Sequence, residues 1–276
     1  MSDRPVSNRA VSDPVPLAVS ALDGPDGAPV LVLGNSLGTS RDCWGLSVPV
    51  LARYFRLLRY EHRGHGVPPG QSPAPPGPYS LDDLGRDVLA LLDARGVRRA
   101  LYCGVSLGGM VGIWLAAHAP DRIAGLGLSC TSAYLPPAAG WTQRAAAVRA
   151  AGTGSIAALV VSRWFTQSYQ AAHPEAPEAF VAGLAATADE GYAGCCEAIA
   201  AMDLRPVLGS ITAPTLVIAG TDDPATPPWH GAAIASAVPG ARLRVVRGAS
   251  HLANVSNAAE VTALLVPHLL AAAGRD

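Results

Sequence analysis

Six short apolar runs recur along the chain, and segments with helical spacing separate them. They cover 28–33, 55–60, 99–104, 123–130, 214–219 and 241–246. The first closes in Gly34-Asn35-Ser36, and the second in Glu61-His62-Arg63-Gly64-His65-Gly66. Continuous apolar stretches of this length, ended by turn residues, read as buried strands. Between the second and third runs, the Pro/Gly-rich stretch 67–78 is a loop. Ser80 then caps a helix with Asp83 in its first turn. Leu84, Val88, Leu91 and Leu92 line the inner face of that helix, which stops near Gly96. A second helix pattern, 110–119, closes at Pro120. Strands alternating with helices place the chain in the α/β class, with a mostly parallel sheet covered on both faces.

One region breaks the alternation. Residues 131–204 show Ala-rich helical patterns with scattered Trp and Tyr and no strand candidate. The expected organisation is therefore a flexible tail over 1–14, a core built from 15–130 and 205–276, and a helical insertion over 131–204. No internal repeat is visible.

Composition narrows the function. The chain has 276 residues, half of them hydrophobic, enough for one sizeable core. Its net charge is −1 and all 20 of its basic Lys/Arg positions are Arg, with no basic run. That excludes an electrostatic case for nucleic acid or an anionic membrane surface. The five cysteines, Cys43, Cys103, Cys130, Cys195 and Cys196, match neither a zinc spacing nor a disulfide framework. Reduced thiols in a soluble cytoplasmic protein are expected. The first 20 residues lack the apolar stretch of a signal peptide, and the apolar segment 261–273 is too short to span a bilayer. No metal or phosphate motif is present, and no cofactor is expected.

Gly104-Val105-Ser106-Leu107-Gly108 lies between a strand pattern and a helix pattern. A Ser on a sharp strand-to-helix turn is strained, and small residues on both sides relieve crowding. The helix supplies a free N–H at Leu107 and a dipole that favours an oxyanion. Such a Ser needs a base and an orienting acid, in the chain order Ser, Asp or Glu, His. Asp222 and Asp223 follow the run 214–219, and His251 follows the run 241–246. Both would lie at the carboxyl edge of the sheet, where sites collect. A second oxyanion donor fits the turn Gly34-Asn35-Ser36-Leu37-Gly38, with the Ser36 N–H as candidate beside that of Leu107.

With these pieces placed, the chain resembles the α/β-hydrolase superfamily, and within it the 3-oxoadipate enol-lactonases. The resemblance rests on Asn35-Ser36-Leu37-Gly38-Thr39 with Trp44, on Arg63-Gly64-His65-Gly66, and on Ser106-Leu107-Gly108-Gly109-Met110. In the insertion it rests on Arg163-Trp164-Phe165-Thr166 and Glu190-Gly191-Tyr192-Ala193-Gly194-Cys195-Cys196. In the tail it rests on Asp222-Asp223-Pro224-Ala225-Thr226-Pro227 and His251-Leu252-Ala253-Asn254-Val255. The resemblance implies Ser106 as nucleophile, His251 as base and Asp223 as acid, because the family's acid directly precedes Pro-Ala-Thr-Pro. Glu61 departs from the family's usual Asp, and Leu107 from its usual Met. The implied substrate is a small anionic lactone, whose carboxylate an Arg would suit. Arg144 is the candidate, with Trp141 and Trp164 as pocket walls. Another ester or lactone hydrolase, a cofactor-free haloperoxidase and a non-catalytic receptor on the same fold are the alternatives.

Overall fold

The computed structural model describes residues 12–274. Its strands are β1 (Val30–Gly34), β2 (Arg56–Arg59), β3 (Ala100–Val105), β4 (Ile123–Ser129), β5 (Thr215–Gly220) and β6 (Arg242–Val246). They form one sheet in the order β2-β1-β3-β4-β5-β6, and every pair is parallel. Outside β2, Val19 and Asp23 make antiparallel bridges to Tyr60 and Leu57. The helices are α1 (Val48–Leu51), α2 (Leu81–Ala94), α3 (Leu107–His118), α4 (Ala138–Ala151), α5 (Gly154–Val161), α6 (Gln167–Ala172), α7 (Glu175–Ala185), α8 (Asp189–Ala201), α9 (Pro228–Ala237), α10 (Ala253–Ser256) and α11 (Ala258–Ala272).

The side-chain period of two sends alternate strand residues to opposite faces. Tyr102 and Leu126 face α3, where they crowd Gly112; Leu265 and Ala272 of α11 cover Gly127 and Gly125 from the other face. Hence β3 is buried along its whole length. Ser80 caps α2 as its sequence indicates: its hydroxyl accepts from the Asp83 N–H while the Asp83 carboxylate accepts from the Ser80 N–H. Leu84, Val88, Leu91 and Leu92 are all buried. The stretch 67–78 contains neither helix nor strand.

Helices α4 to α8 follow one another between β4 and β5, with no strand among them. Of the tail expected over 1–14, residues 1–11 lie outside the described residues. Ser12 donates to Asp83 from both its N–H and its hydroxyl, and Val15 N donates to Asp87 at 2.8 Å. Arg63, fully buried, forks onto Asp87 at 2.6 and 2.7 Å. Among the described residues, no helix is long and apolar enough to cross a membrane.

The sheet order reverses at β1 and β3. After β1 the chain moves outward to β2, then crosses back to β3 on the other side of β1. Ligands of open α/β sheets bind at the carboxyl ends of strands at such a reversal. Ser36 and Ser106 each follow one of these two strands.

Candidate active site

Ser106 sits between β3 and α3 with φ 53° and ψ −116°. A left-handed backbone at a non-glycine residue costs roughly 1–3 kcal/mol and persists only where the surroundings impose it. Here Ser106 N donates to Ser129 O at 3.0 Å and Thr131 Oγ1 donates to Ser106 O at 2.6 Å. The turn is too tight for side chains beside it. A Cβ on Gly104 would meet the Gly108 carbonyl carbon at 2.2 Å, and one on Gly108 would meet that of Gly34 at 2.4 Å. This close approach lets Gly108 N donate to Asn35 O at 2.8 Å, joining the Ser106 turn to the Ser36 turn. Leu107 is the first residue of α3, so its N–H has no partner within the helix.

Asp223 follows β5 and His251 follows β6. The Asp223 carboxylate accepts from His251 Nδ1 at 2.9 and 3.1 Å. A carboxylate can only accept, so Nδ1 carries the proton and Nε2 is left as a base. Asp223 also accepts from the N–H groups of Ala225 and Thr226 and from Thr226 Oγ1 at 2.7 Å. Burial alone would raise this carboxyl. The charge of His251 and the hydrogen bonds from His251 and Thr226 outweigh it and hold the group at about 2. Asp222, the neighbour that the sequence also offers, is exposed.

Ser36, Ser106 and His251 line one cavity of about 310 Å³. Most of its further walls come from the segment between β4 and β5, among them Leu135, Trp141, Arg144, Arg163, Trp164 and Tyr192. All three residues proposed from sequence as substrate contacts therefore reach the cavity. The Arg144 guanidinium stacks 4.6 Å from the centre of the Trp141 ring. Trp164 is buried, and its carbonyl accepts from Leu252 N at 3.1 Å, while Ser250 Oγ donates to Arg163 O at 3.1 Å. Residues 163 and 164 thus grip the His251 loop on both sides. Arg163 and Tyr192 were not singled out from sequence as cavity residues. Their only signal was membership in the motifs of the insertion.

Charge separates the arginines of this region. Arg149 is fully engaged with Glu190 and Glu197, and Arg205 with Asp203. Among the described residues, neither Arg144 nor Arg163 makes an ion pair. Two uncompensated guanidinium-bearing residues in one cavity create a positive potential that suits an anion.

A further group, missed by the sequence reading, surrounds the Ser36 turn. Glu61, His62 and His65 each hold a different part of residues 35–41. The Glu61 carboxylate accepts from Arg41 N at 3.0 and 3.1 Å and from Asn35 Nδ2 at 3.3 Å. His62 Nε2 lies 2.8 Å from Asn35 O, and a carbonyl can only accept, so this nitrogen is protonated. His65 Nε2 receives the Gly38 N–H at 3.0 Å, so its proton is on Nδ1. Burial keeps both rings neutral: His62 falls to about 3, helped by its neighbour His65, and His65 falls to about 4. Burial drives Glu61 up to about 7, against the hydrogen bond and charge of Arg41. From the other side, α8 packs on the 61–66 segment through two glycines, Gly191 against Gly64. A Cβ on Gly191 would lie 2.1 Å from Gly64 O.

The α/β-hydrolase-fold family model matches residues 29–258. The chain belongs to the α/β-hydrolase family. It is 40% identical over 227 residues to 3-oxoadipate enol-lactonase 2 of Acinetobacter baylyi, covering 82% of this chain and 83% of that one. To 3-oxoadipate enol-lactonase 1 of the same organism it is 35% identical over 234 residues, 85% and 86% of the two chains. The crystal structure of the enol-lactonase from Burkholderia xenovorans LB400 superposes with a TM-score of 0.87 at 41% identity, over 92% of this chain and 96% of that one. Among α/β-hydrolases, this kinship makes the chain an enzyme of the esterase and lactonase group.

Proposed function

We propose that this α/β-hydrolase opens 3-oxoadipate enol-lactone to 3-oxoadipate, a step in the degradation of aromatic compounds through the β-ketoadipate pathway. The observation that carries the reading is the pairing of an unpaired cation, Arg144, with Ser106 and His251 in one cavity. The substrate has both groups that such a cavity needs, an activated acyl carbon and a free carboxylate. The names of the relatives supply the specific lactone.

In this reading, His251 Nε2 takes the Ser106 hydroxyl proton as Oγ attacks the lactone carbonyl. The N–H groups of Ser36 and Leu107 hold the oxyanion. When the intermediate collapses, the ring oxygen leaves as an enol, with the proton returned from His251, and the enol tautomerises to the ketone. An enol is a better leaving group than a simple alkoxide, which eases the acid step. His251 then activates water, which attacks the acyl-Ser106 carbonyl and releases the second carboxylate. Asp223 holds the ring orientation and balances the imidazolium. Arg144 forks onto the distal carboxylate, and Trp141 and Trp164 wall the substrate. Residues 131–204 act as a cap over the core formed by 15–130 and 205–276.

The test is hydrolysis of 3-oxoadipate enol-lactone beside p-nitrophenyl acetate, by wild type and Ser106→Ala. Wild type should favour the lactone, and the variant should lose at least about 10⁴-fold on both. A wild type that hydrolyses the ester but leaves the lactone untouched sinks the substrate. A fully active Ser106→Ala sinks the mechanism.

A further inference from the structure

Tyr192 lies in the first turn of α8 and is fully buried. Its ring covers Gly38, where a Cβ would come within 2.8 Å of Cε2, and stacks over His65 with centroids 6.4 Å apart. The ring is thus wedged beside the Ser36 turn. Its hydroxyl has no hydrogen-bond partner within 3.5 Å. Two other buried side-chain oxygens among the described residues share that condition, Ser129 Oγ and Asn254 Oδ1. Neither of those residues lines the cavity, whereas Tyr192 does.

A buried hydroxyl normally has a partner, and a native group left without one calls for an explanation. The surroundings supply one. Burial pushes the phenol well above its ordinary value, although the positive charge of nearby Arg144 and a long hydrogen bond from its guanidinium to the phenol oxygen oppose the rise. The phenol therefore stays protonated and is a donor throughout the working pH range. Arg144 is itself a donor without an ion pair, and it belongs to α4, which packs directly on α8. Two donor groups from two packed helices thus stand beside each other on one cavity wall: the guanidinium points toward the phenol oxygen, and the phenol O–H has no acceptor within 3.5 Å.

We propose that the Tyr192 hydroxyl and the Arg144 guanidinium together form the carboxylate subsite of the cavity, and that Tyr192 determines preference for anionic over neutral substrates. The guanidinium brings charge and a fork. The phenol brings one directed hydrogen bond to a carboxylate oxygen. A neutral acyl group would leave the buried phenol unsatisfied and the half-buried guanidinium without a counter-charge, and this is the kind of mismatch that rejects a substrate strongly. The ring stays fixed by Gly38 and His65, so little rotamer entropy is lost when the hydroxyl binds. The inference rests on the reading of the cavity as a site for a carboxylate-bearing lactone.

The decisive variant is Tyr192→Phe, which removes one oxygen and keeps the wedged ring. Hydrogen bonds to charged groups predict a loss of about 10- to 100-fold in kcat/KM on 3-oxoadipate enol-lactone, expressed in KM. Turnover of p-nitrophenyl acetate should stay within about twofold, and the thermal midpoint should hold within about a degree or rise, because the hydroxyl has no protein partner within 3.5 Å to lose. Equal losses on both substrates, or an unchanged lactone KM, overturn the proposal, and so does a lowered midpoint that tracks the loss. Inhibition of ester hydrolysis by glutarate and by its dimethyl ester gives a readout independent of the lactone. If the wild type ignores the lactone but glutarate inhibits it more weakly after Tyr192→Phe, the subsite stands and the enol-lactone reading falls. If glutarate inhibits both forms equally, the subsite falls.

Discussion

Glu61→Gln should make the protein more stable at alkaline pH while weakening its catalysis. Glu61 is 7% exposed, so solvent screening does little for it. Burial holds its carboxyl at about 7, with Arg41 and Arg59 pulling downward and Asp42 pushing upward. In the unfolded chain a Glu ionises near 4.3. Between those values the folded state binds the extra proton, so stability falls as pH rises. The contribution is fully present below about pH 4 and is lost once pH passes through about 7. The gap between about 4.3 and about 7 corresponds to about 4 kcal/mol, of which about 2 to 3 kcal/mol falls between pH 5 and pH 8.5. Gln does not titrate. It also lacks one acceptor oxygen for Arg41 N or Asn35 Nδ2, but that cost does not depend on pH. Urea unfolding of both proteins at several pH values therefore isolates the linkage. The stability of the variant minus that of wild type should rise by about 2 to 3 kcal/mol from pH 5 to pH 8.5. A difference flat to within about 0.5 kcal/mol would refute the argument. At neutral pH kcat should fall, by less than the 10²–10³ that follows outright deletion of an oxyanion donor. An ionised carboxylate kept in a buried site at this cost implies that its two acceptor oxygens matter to the Ser36 turn.

Two further outcomes follow from the geometry. Asp223→Asn removes the carboxylate that keeps the proton on His251 Nδ1; kcat should drop on the order of 10⁴-fold with KM little changed, and steady-state assays showing less than a tenfold loss would contradict that role. Gly191→Ala places a Cβ 2.1 Å from Gly64 O and 2.6 Å from Gly64 Cα, both backbone atoms that cannot swing aside; it should cost about 1–3 kcal/mol or more and lower the thermal midpoint by several degrees, whereas an unchanged midpoint would mean that α8 can ride up at no cost.

The two sites where sequence reasoning went furthest are both local. Ser80 and Asp83 are three residues apart, so their reciprocal cap needs nothing beyond the helix itself. Gly104-Val105-Ser106-Leu107-Gly108 is likewise a short-range device. The strand before it, the helix after it and the small flanking residues all fall within a few positions, and the crowding at Gly104 and Gly108 follows from that turn. The same holds for the six strands, whose apolar runs match the observed limits to within two residues.

Other features depend on which distant segments meet. Asp222 and Asp223 are adjacent and look alike in sequence. Which of them faces His251 depends on how the loop after β6 folds over the end of β5, where Asp222 N donates to Ala249 O and Asp223 turns inward. Glu61 reads as an ordinary turn carboxylate until Arg41, Asn35 and the segment around Ala18 close over it. Arg163 and Tyr192 lie 29 positions apart in separate parts of the helical region, and no periodicity connects them. The sequence by itself determined the fold class, the Ser106 turn and the order of candidate groups, because backbone propensity and side-chain period act over a few residues. The choice of Asp223 over Asp222 came from the motif that follows it, whereas only the tertiary structure decided the buried state of Glu61 and the meeting of Tyr192 with Arg144. Burial and electrostatics there come from groups tens of residues apart.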